Sequence, residues 1–179
     1  MNKNLRLSAL TLMASFVVAS CGGGSSTAVV GPPAAPTPAP ATNFVERNLD
    51  PFLTIGLPTI TANDYNIAIT PATSVTAANK LFVFLPGTHG FPNLYRYILQ
   101  SGANRGFHTI GLNYVNNKAV GGLCLEQPSD CFLNVRTEVI TGQDSSQLVD
   151  VSPDNSIVTR LTKTISYLNK KYQNEGWNQ

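Results

Sequence analysis

The sequence has 179 residues, a length that suits one folded domain, and its 12 lysines and arginines nearly balance its 10 aspartates and glutamates, giving a formal net charge of +2. The basic residues are scattered along the chain, apart from the pair Lys170 and Lys171. Because nucleic-acid binding needs a clustered basic surface, the composition excludes nucleic acid as a partner.

The amino terminus has the pattern of an export signal. Two basic residues precede an apolar segment over residues 7–18, which is too short to span a bilayer. The following Val18-Ala19-Ser20-Cys21 resembles the lipobox of a lipoprotein signal. The resemblance implies that residues 1–20 are a signal peptide, that Cys21 receives a lipid, and that the membrane is a partner through this anchor. A plain secretory signal with an incidental cysteine is the alternative.

Residues 21–43 are predicted to be a lipid-anchored tether. They are rich in Gly and Ser and then in Pro and Ala, so they cannot bury apolar area, and the prolines keep them extended at roughly 3 Å per residue. Loss of the signal peptide removes Lys3 and Arg6, which leaves ten basic and ten acidic residues. Gly22, rather than Asp, follows the lipid cysteine, and in this the sequence resembles lipoproteins that are sent to the outer membrane. We therefore expect the cell envelope, and the outer membrane facing the periplasm or the exterior if the cell has one.

Residues 44–179 carry the periodic patterns of a folded domain. Residues 44–62 mix prolines and a glycine with isolated apolar residues, which predicts an irregular path with a short strand at most. Residues 65–70 alternate apolar and other side chains, the period of a half-buried strand at or near a sheet edge. Residues 81–85 are all apolar, which predicts a strand buried on both faces.

The predicted strand over residues 81–85 ends in a Pro/Gly turn. Ligands of open α/β sheets bind at the carboxyl ends of the strands, where this turn lies. A helix over residues 93–101 follows, and an apolar strand over residues 107–114 comes after it. The three elements predict a right-handed βαβ unit.

The strand and glycine loop over residues 81–90 and the strand over residues 107–114 resemble, in their order and spacing, the first third of an α/β-hydrolase domain. The resemblance implies a partial doubly wound sheet in three α/β/α layers, with residues 81–85 as its third strand. It also implies an oxyanion-hole loop after that strand, formed by the candidates Gly87, Thr88, His89 and Gly90. A tight turn in some other doubly wound protein is the alternative.

Acyl transfer of this type needs a serine on a Gly-x-Ser-x-Gly turn, a His base and an acid. No serine of the sequence has glycines at these offsets. In the family's order the nucleophile, acid and base would lie beyond Gln179, so we expect a domain truncated before the nucleophile elbow, with no identifiable catalytic residue. His89 is a candidate for lining the site or for shaping the turn, and His108 is expected to be a core or strand-end residue.

Residues 118–153 are a long excursion, predicted to be a functional cap over the strand ends or a structural loop. Residues 134–141 have helical spacing, with Arg136 and Glu138 predicted to point outward. If Cys21 carries the lipid, Cys124 and Cys131 are the two cysteines that remain. The predicted export places them in a compartment where disulfides can form. Their spacing favours a disulfide over free thiols or a metal site, and we expect no metal or cofactor.

Residues 154–172 form the clearest helix pattern of the sequence, capped by Asp154 or Asn155 and carrying one apolar stripe. In the hydrolase topology this helix follows the fourth strand. The sequence thus predicts a membrane-anchored lipoprotein that resembles the amino-terminal part of a serine α/β-hydrolase, with an ester or related carbonyl substrate and no activity from this chain. A non-catalytic envelope lipoprotein that acts as a binding or structural module is the alternative.

Overall fold

The computed structural model describes residues 43–57 and 59–178. The predicted signal peptide, Cys21 and all but the last residue of the predicted tether lie outside the described residues. The described strands and helices follow one another in a mixed order: β1 Phe44–Leu49, α1 Pro51–Ile55, β2 Asn66–Pro71, β3 Leu81–Phe84, α2 Arg96–Ala103, β4 His108–Gly111, α3 Val120–Leu123, α4 Cys131–Thr141 and α5 Ile157–Lys171. Short 3-10 turns cover Pro92–Tyr95, Pro153–Asn155 and Gln173–Glu175.

The four described strands form one mixed sheet in the order β1-β2-β4-β3. β2 is antiparallel to β1 and to β4, whereas β3 and β4 are parallel, with Leu81 opposite His108 and Phe84 opposite Gly111. The chain passes from β3 to β4 through α2, as the predicted βαβ unit requires. The prediction of an α/β fold is confirmed as a mixed sheet with helices.

Helices cover both faces of the sheet. Alternate residues of a strand point to opposite faces, so Ile67 and Ile69 pack with Leu99 of α2, while Ala68 packs with Leu168 of α5. A Cβ atom on Gly102 would lie 2.8 Å from Thr109 Cγ2, so glycine at this position lets α2 pack closely on β4. The central strands β2 and β4 are therefore held between α2 and α5.

The predicted burial of two strands is wrong. β2, expected at or near an edge, is buried along most of its length between β1 and β4. β3, expected to be buried on both faces, lies at the sheet edge, where Leu81 is 39% exposed. β1, which the polar residues of 44–49 concealed, covers the outer side of β2, whereas β3 pairs with β4 alone among the described strands.

Two details of the predicted helices also differ from the structure. The cap of α5 is Ser156, whose Oγ accepts the Thr159 N–H at 3.2 Å, whereas Asp154 and Asn155 lie in the preceding 3-10 turn. Glu138 of α4 was predicted to point outward but is buried, because backbone N–H groups of the following loop satisfy its carboxylate. Apolar periodicity carries no signal for such contacts.

The excursion over residues 118–153 contains α3 and α4 and has a small core of its own. Cys124 and Cys131 form a disulfide with an S–S distance of 1.97 Å and a Cα–Cα distance of 5.7 Å, so the predicted pairing is confirmed. Val135 of α4 is buried against this pair, together with apolar side chains of α3 and of the loop after α4. Within the part of the chain that the structure describes, no helix has the length and hydropathy needed to cross a membrane.

Candidate functional site

The loop after β3 is a tight turn at the carboxyl end of the parallel strands. The Gly90 N–H donates to the Gly87 carbonyl oxygen at 2.8 Å and closes the turn. His89 adopts a left-handed backbone conformation with a φ of 59°, and its N–H donates to the Asn116 carbonyl oxygen at 3.0 Å. A non-glycine residue at positive φ is uncommon, so surrounding contacts must hold this turn.

Asn116, in the loop after β4, supplies those contacts. Its Nδ2 donates to the carbonyl oxygens of both Gly87 and Gly90, each at 2.8 Å. Nearby, the Tyr114 hydroxyl donates to the Pro86 carbonyl oxygen at 2.6 Å. Two side chains from one loop therefore fix the loop of the neighbouring strand. No role was predicted for Asn116 from the sequence, although an Asn just after the predicted strand over residues 107–114 was the available signal.

The four oxyanion-loop candidates differ in what their N–H groups can do. The His89 N–H is bound by Asn116 of the loop after β4, and the Gly90 N–H is bound by Gly87 within the turn. Those of Gly87 and Thr88 have no hydrogen-bond partner among the described residues. Both of these residues are exposed and line the adjacent cleft, so two neighbouring donors are available to a ligand.

A cleft of about 390 Å³ opens at the carboxyl ends of β3 and β4. Its walls come from the loop after β3, the loop after β4, the excursion and the first residue of α5. The lining residues are Leu85, Pro86, Gly87, Thr88, Tyr114, Val115, Asn116, Lys118, Val120, Arg136, Val139, Ile140 and Ile157. His89 and Gly90 are not among them. The excursion thus forms one wall of the cleft while its disulfide stabilises its own small core.

The cleft combines apolar walls with positive charge. Lys118 and Arg136 contribute cationic groups, and no Asp, Glu, His, Ser or Cys of the described residues lines it. The Lys118 ammonium donates to the Leu148 carbonyl oxygen at 2.8 Å. Burial raises the pKa of Tyr114, and the nearby Arg136 charge lowers it in part, so the hydroxyl stays protonated and keeps its bond to Pro86. The cleft favours a partly apolar ligand with electron-rich oxygens.

The two histidines lie in different parts of the domain, and neither lines the cleft. His89 is exposed in the turn outside the cleft lining. His108 begins β4, at the opposite end of the strand from the cleft, where its ring packs edge-to-face on Trp177 at 4.7 Å and its Nε2 contacts the Glu175 carbonyl oxygen at 2.5 Å. Within residues 43–57 and 59–178, no group of three or more His, Cys, Asp or Glu side chains is placed to hold a metal ion.

A fully buried guanidinium fixes the backbone beneath the cleft. Arg160 of α5 donates to the carbonyl oxygens of Asn113 at 3.2 Å and Asn155 at 2.9 Å, and also to that of Thr61. Burial lowers its pKa to about 10, which leaves it charged near neutral pH. Arg160 thereby links the residue before Tyr114 to the start of α5, and sequence reasoning did not identify it.

The buried Glu138 organises the wall formed by the excursion. Its carboxylate accepts the backbone N–H groups of Ser145 at 3.2 Å, Ser146 at 2.9 Å and Val151 at 3.0 Å. These bonds hold the loop after α4 against the helix. Since Arg136 and Val139 of the same helix line the cleft, Glu138 supports the wall from its far side.

Comparison of the chain with protein-family models, with curated proteins and with solved structures finds no significant match in any of the three.

Proposed function

We propose that the described domain forms the oxyanion-hole side of an α/β-hydrolase-type site and binds an ester or related carbonyl compound in the cleft. The observation that carries the proposal is the pair of free N–H donors at Gly87 and Thr88, at the edge of an apolar cleft. Two features of the chain order support it. The donor loop follows the third strand, and α5 follows the fourth, as the resemblance requires.

The chemistry of such a loop is electrostatic. Two backbone N–H groups directed at one carbonyl oxygen polarise the C=O bond and stabilise the negative charge that develops on the oxygen. In a complete site each donor contributes roughly 3 kcal/mol to the transition state. The apolar side chains around the cleft would hold the acyl chain.

The residues that line the cleft supply binding groups but no pair of nucleophile and base. The cleft lining contains Thr88 and Tyr114 as hydroxyl groups, and neither has a histidine within the lining. This observation favours a second candidate function, a non-catalytic envelope lipoprotein that binds a carbonyl compound in the same cleft. The nucleotide sequence downstream of codon 179 separates the two, because only the first requires a Gly-x-Ser-x-Gly codon pattern there.

Amide NMR tests the binding site directly. The chain, labelled with ¹⁵N, is titrated with methyl butyrate, and the Gly87 and Thr88 amide signals are expected to shift most, since their N–H groups gain an acceptor. The Gly90 amide, which already donates to Gly87, serves as the internal control. Shifts of the cleft side chains without shifts of the two amides would refute the oxyanion role. No shift anywhere would refute the site.

We further propose that Cys21 is lipidated and that the protein is anchored in the cell envelope, in the outer membrane if the cell has one. The support is the resemblance of Val18-Ala19-Ser20-Cys21 to a lipobox.

A further inference from the structure

We propose that the ligand of the cleft carries a carboxylate in addition to its carbonyl group, and that Arg136 recognises this carboxylate. The inference rests on the proposed function, because it assumes that Gly87 and Thr88 hold the carbonyl end. It narrows the ligand class to monoesters of short dicarboxylic acids and similar compounds with one anionic end.

Arg136 differs from every other described arginine in its contacts. Arg47 pairs with Glu175 and Arg96 with Glu46, whereas Arg105 donates to Ser101 and Arg160 to buried carbonyl oxygens. Arg136 alone has no ion pair and no hydrogen bond to any described residue. Its guanidinium offers a planar set of donors suited to a carboxylate.

No described acidic group neutralises this end of the cleft. Glu138, on the same helix, is buried and binds three backbone N–H groups of the following loop. Asp144 and Asp150 line a separate cavity beside Glu138. Lys118 adds a second positive charge to the cleft lining. An anionic group therefore meets two cations and no carboxylate in this cleft.

The arrangement of the walls matches a ligand with two different ends. The carbonyl donors lie on the loop after β3, and Arg136 lies on α4, in the excursion. Apolar side chains of both segments also line the cleft, among them Leu85, Val139 and Ile140. A short apolar chain that joins an ester to a carboxylate provides one group for each of these two walls.

A matched pair of ligands tests the inference. Monomethyl adipate carries one ester and one carboxylate, and dimethyl adipate has the same chain with no charge. Dissociation constants for both are measured by NMR titration of the chain. We expect the monoester to bind roughly threefold to tenfold more tightly, the range of a partly exposed charge-assisted pair, with a preference that falls as salt is added.

Variants assign the preference to one side chain. Arg136→Gln is expected to abolish the preference for the monoester, and Arg136→Lys is expected to keep part of it. Arg105→Gln is the matched control, because Arg105 lies in the turn after α2, outside the cleft lining, and donates to Ser101. Amide spectra of each variant establish that the fold is unchanged.

The outcomes separate the inference from the function on which it rests. Equal binding of both ligands, or a preference that survives Arg136→Gln, would overturn the carboxylate inference and leave the proposed ester site intact. Binding of neither ligand would overturn both.

Discussion

Asn116 fixes the donor loop through one side-chain amide that binds two carbonyl oxygens. We predict that Asn116→Ala lowers the free energy of unfolding by about 1 kcal/mol, the usual net value of such bonds at a partly exposed site. The loop then loses its only described side-chain clamp on Gly87 and Gly90, so methyl butyrate should bind more weakly in the NMR titration.

Asn117→Ala is the control for this change, because Asn117 is the exposed neighbour and has no hydrogen bond to a described residue. Equal ligand affinity in both variants would show that the clamp has no part in forming the site.

Substitution of the buried Arg160 should lower the free energy of unfolding strongly. We predict that Arg160→Met destabilises the fold by roughly 3–5 kcal/mol, because the carbonyl oxygens of Thr61, Asn113 and Asn155 lose their charged donor in a buried site. Urea denaturation measures the change. Lys163→Met, on the exposed side of the same helix, should change the free energy of unfolding by less than about 0.5 kcal/mol. Similar values for the two variants would contradict this role.

Sequence reasoning at the level of single residues identified the donor loop but not the groups that hold it. Residues 86–90 were predictable because a Pro/Gly turn after an apolar strand has a local signal. Asn116, Glu138 and Arg160 act through partners far away in the chain or through loop backbone, and periodicity treats polar and charged residues as solvent-facing. Their roles emerge only when distant segments are placed side by side.

At the scale of elements, the local patterns located most strands and helices but not their neighbours. The strands β2, β3 and β4 and the helices α2, α4 and α5 lie within the segments predicted for them or overlap them. β1 was not located within residues 44–62, where a short strand at most was predicted, because Glu46 and Arg47 interrupt its apolar pattern; in the structure they pair with Arg96 and Glu175. Because β1 was not located, the central position of β2 could not be inferred, and no local pattern shows that β3 pairs on one side only among the described strands.

The disulfide stabilises the excursion that forms one wall of the cleft. We predict that Cys124→Ser with Cys131→Ser lowers the free energy of unfolding by about 2–3 kcal/mol, because a closed loop of this length limits the unfolded chain. Since Cys131 begins α4, which carries Arg136, ligand affinity should fall as well. Thermal unfolding and NMR titration measure the two effects, and the wild-type chain under reducing conditions is the control. A variant as stable as the wild type would contradict the prediction.

At the scale of the whole molecule, the first question is whether the chain is held at a membrane. We predict that Cys21→Ala shifts the protein from the membrane fraction to the soluble fraction, because the lipid on this thiol is the proposed anchor. Ser25→Ala, four residues further along the predicted tether, should leave the protein in the membrane fraction. Mass spectrometry that finds an intact Met1 in the envelope fraction would rule out signal cleavage before Cys21.

The exposed sheet edge at β3 affects whether the chain associates with other copies of itself. Among the described residues β3 pairs only with β4, so backbone N–H and C=O groups on its other side are free to pair with another chain. Apolar side chains lie at this edge: Leu81 of β3 is 39% exposed, and Ile98 of α2, which lines a cavity together with Phe82 of β3, is 46% exposed. An unpaired strand beside uncovered apolar side chains favours self-association.

We therefore predict that the purified chain self-associates. Because no described histidine lines the cleft beside the hydroxyl groups of Thr88 and Tyr114, we also predict that the chain hydrolyses no short-chain ester above background. Ile98→Lys with Leu81→Lys should shift it toward monomer, since charges beside an edge strand oppose pairing, and sedimentation velocity measures the change. Leu53→Lys is the control, because Leu53 is 71% exposed on α1, which follows β1 at the other end of the sheet. A stable, inactive monomer in the wild type would contradict edge-driven association and favour the binding module. A stable monomer whose ester turnover is abolished by a serine-directed inhibitor would require a nucleophile outside the described cleft lining.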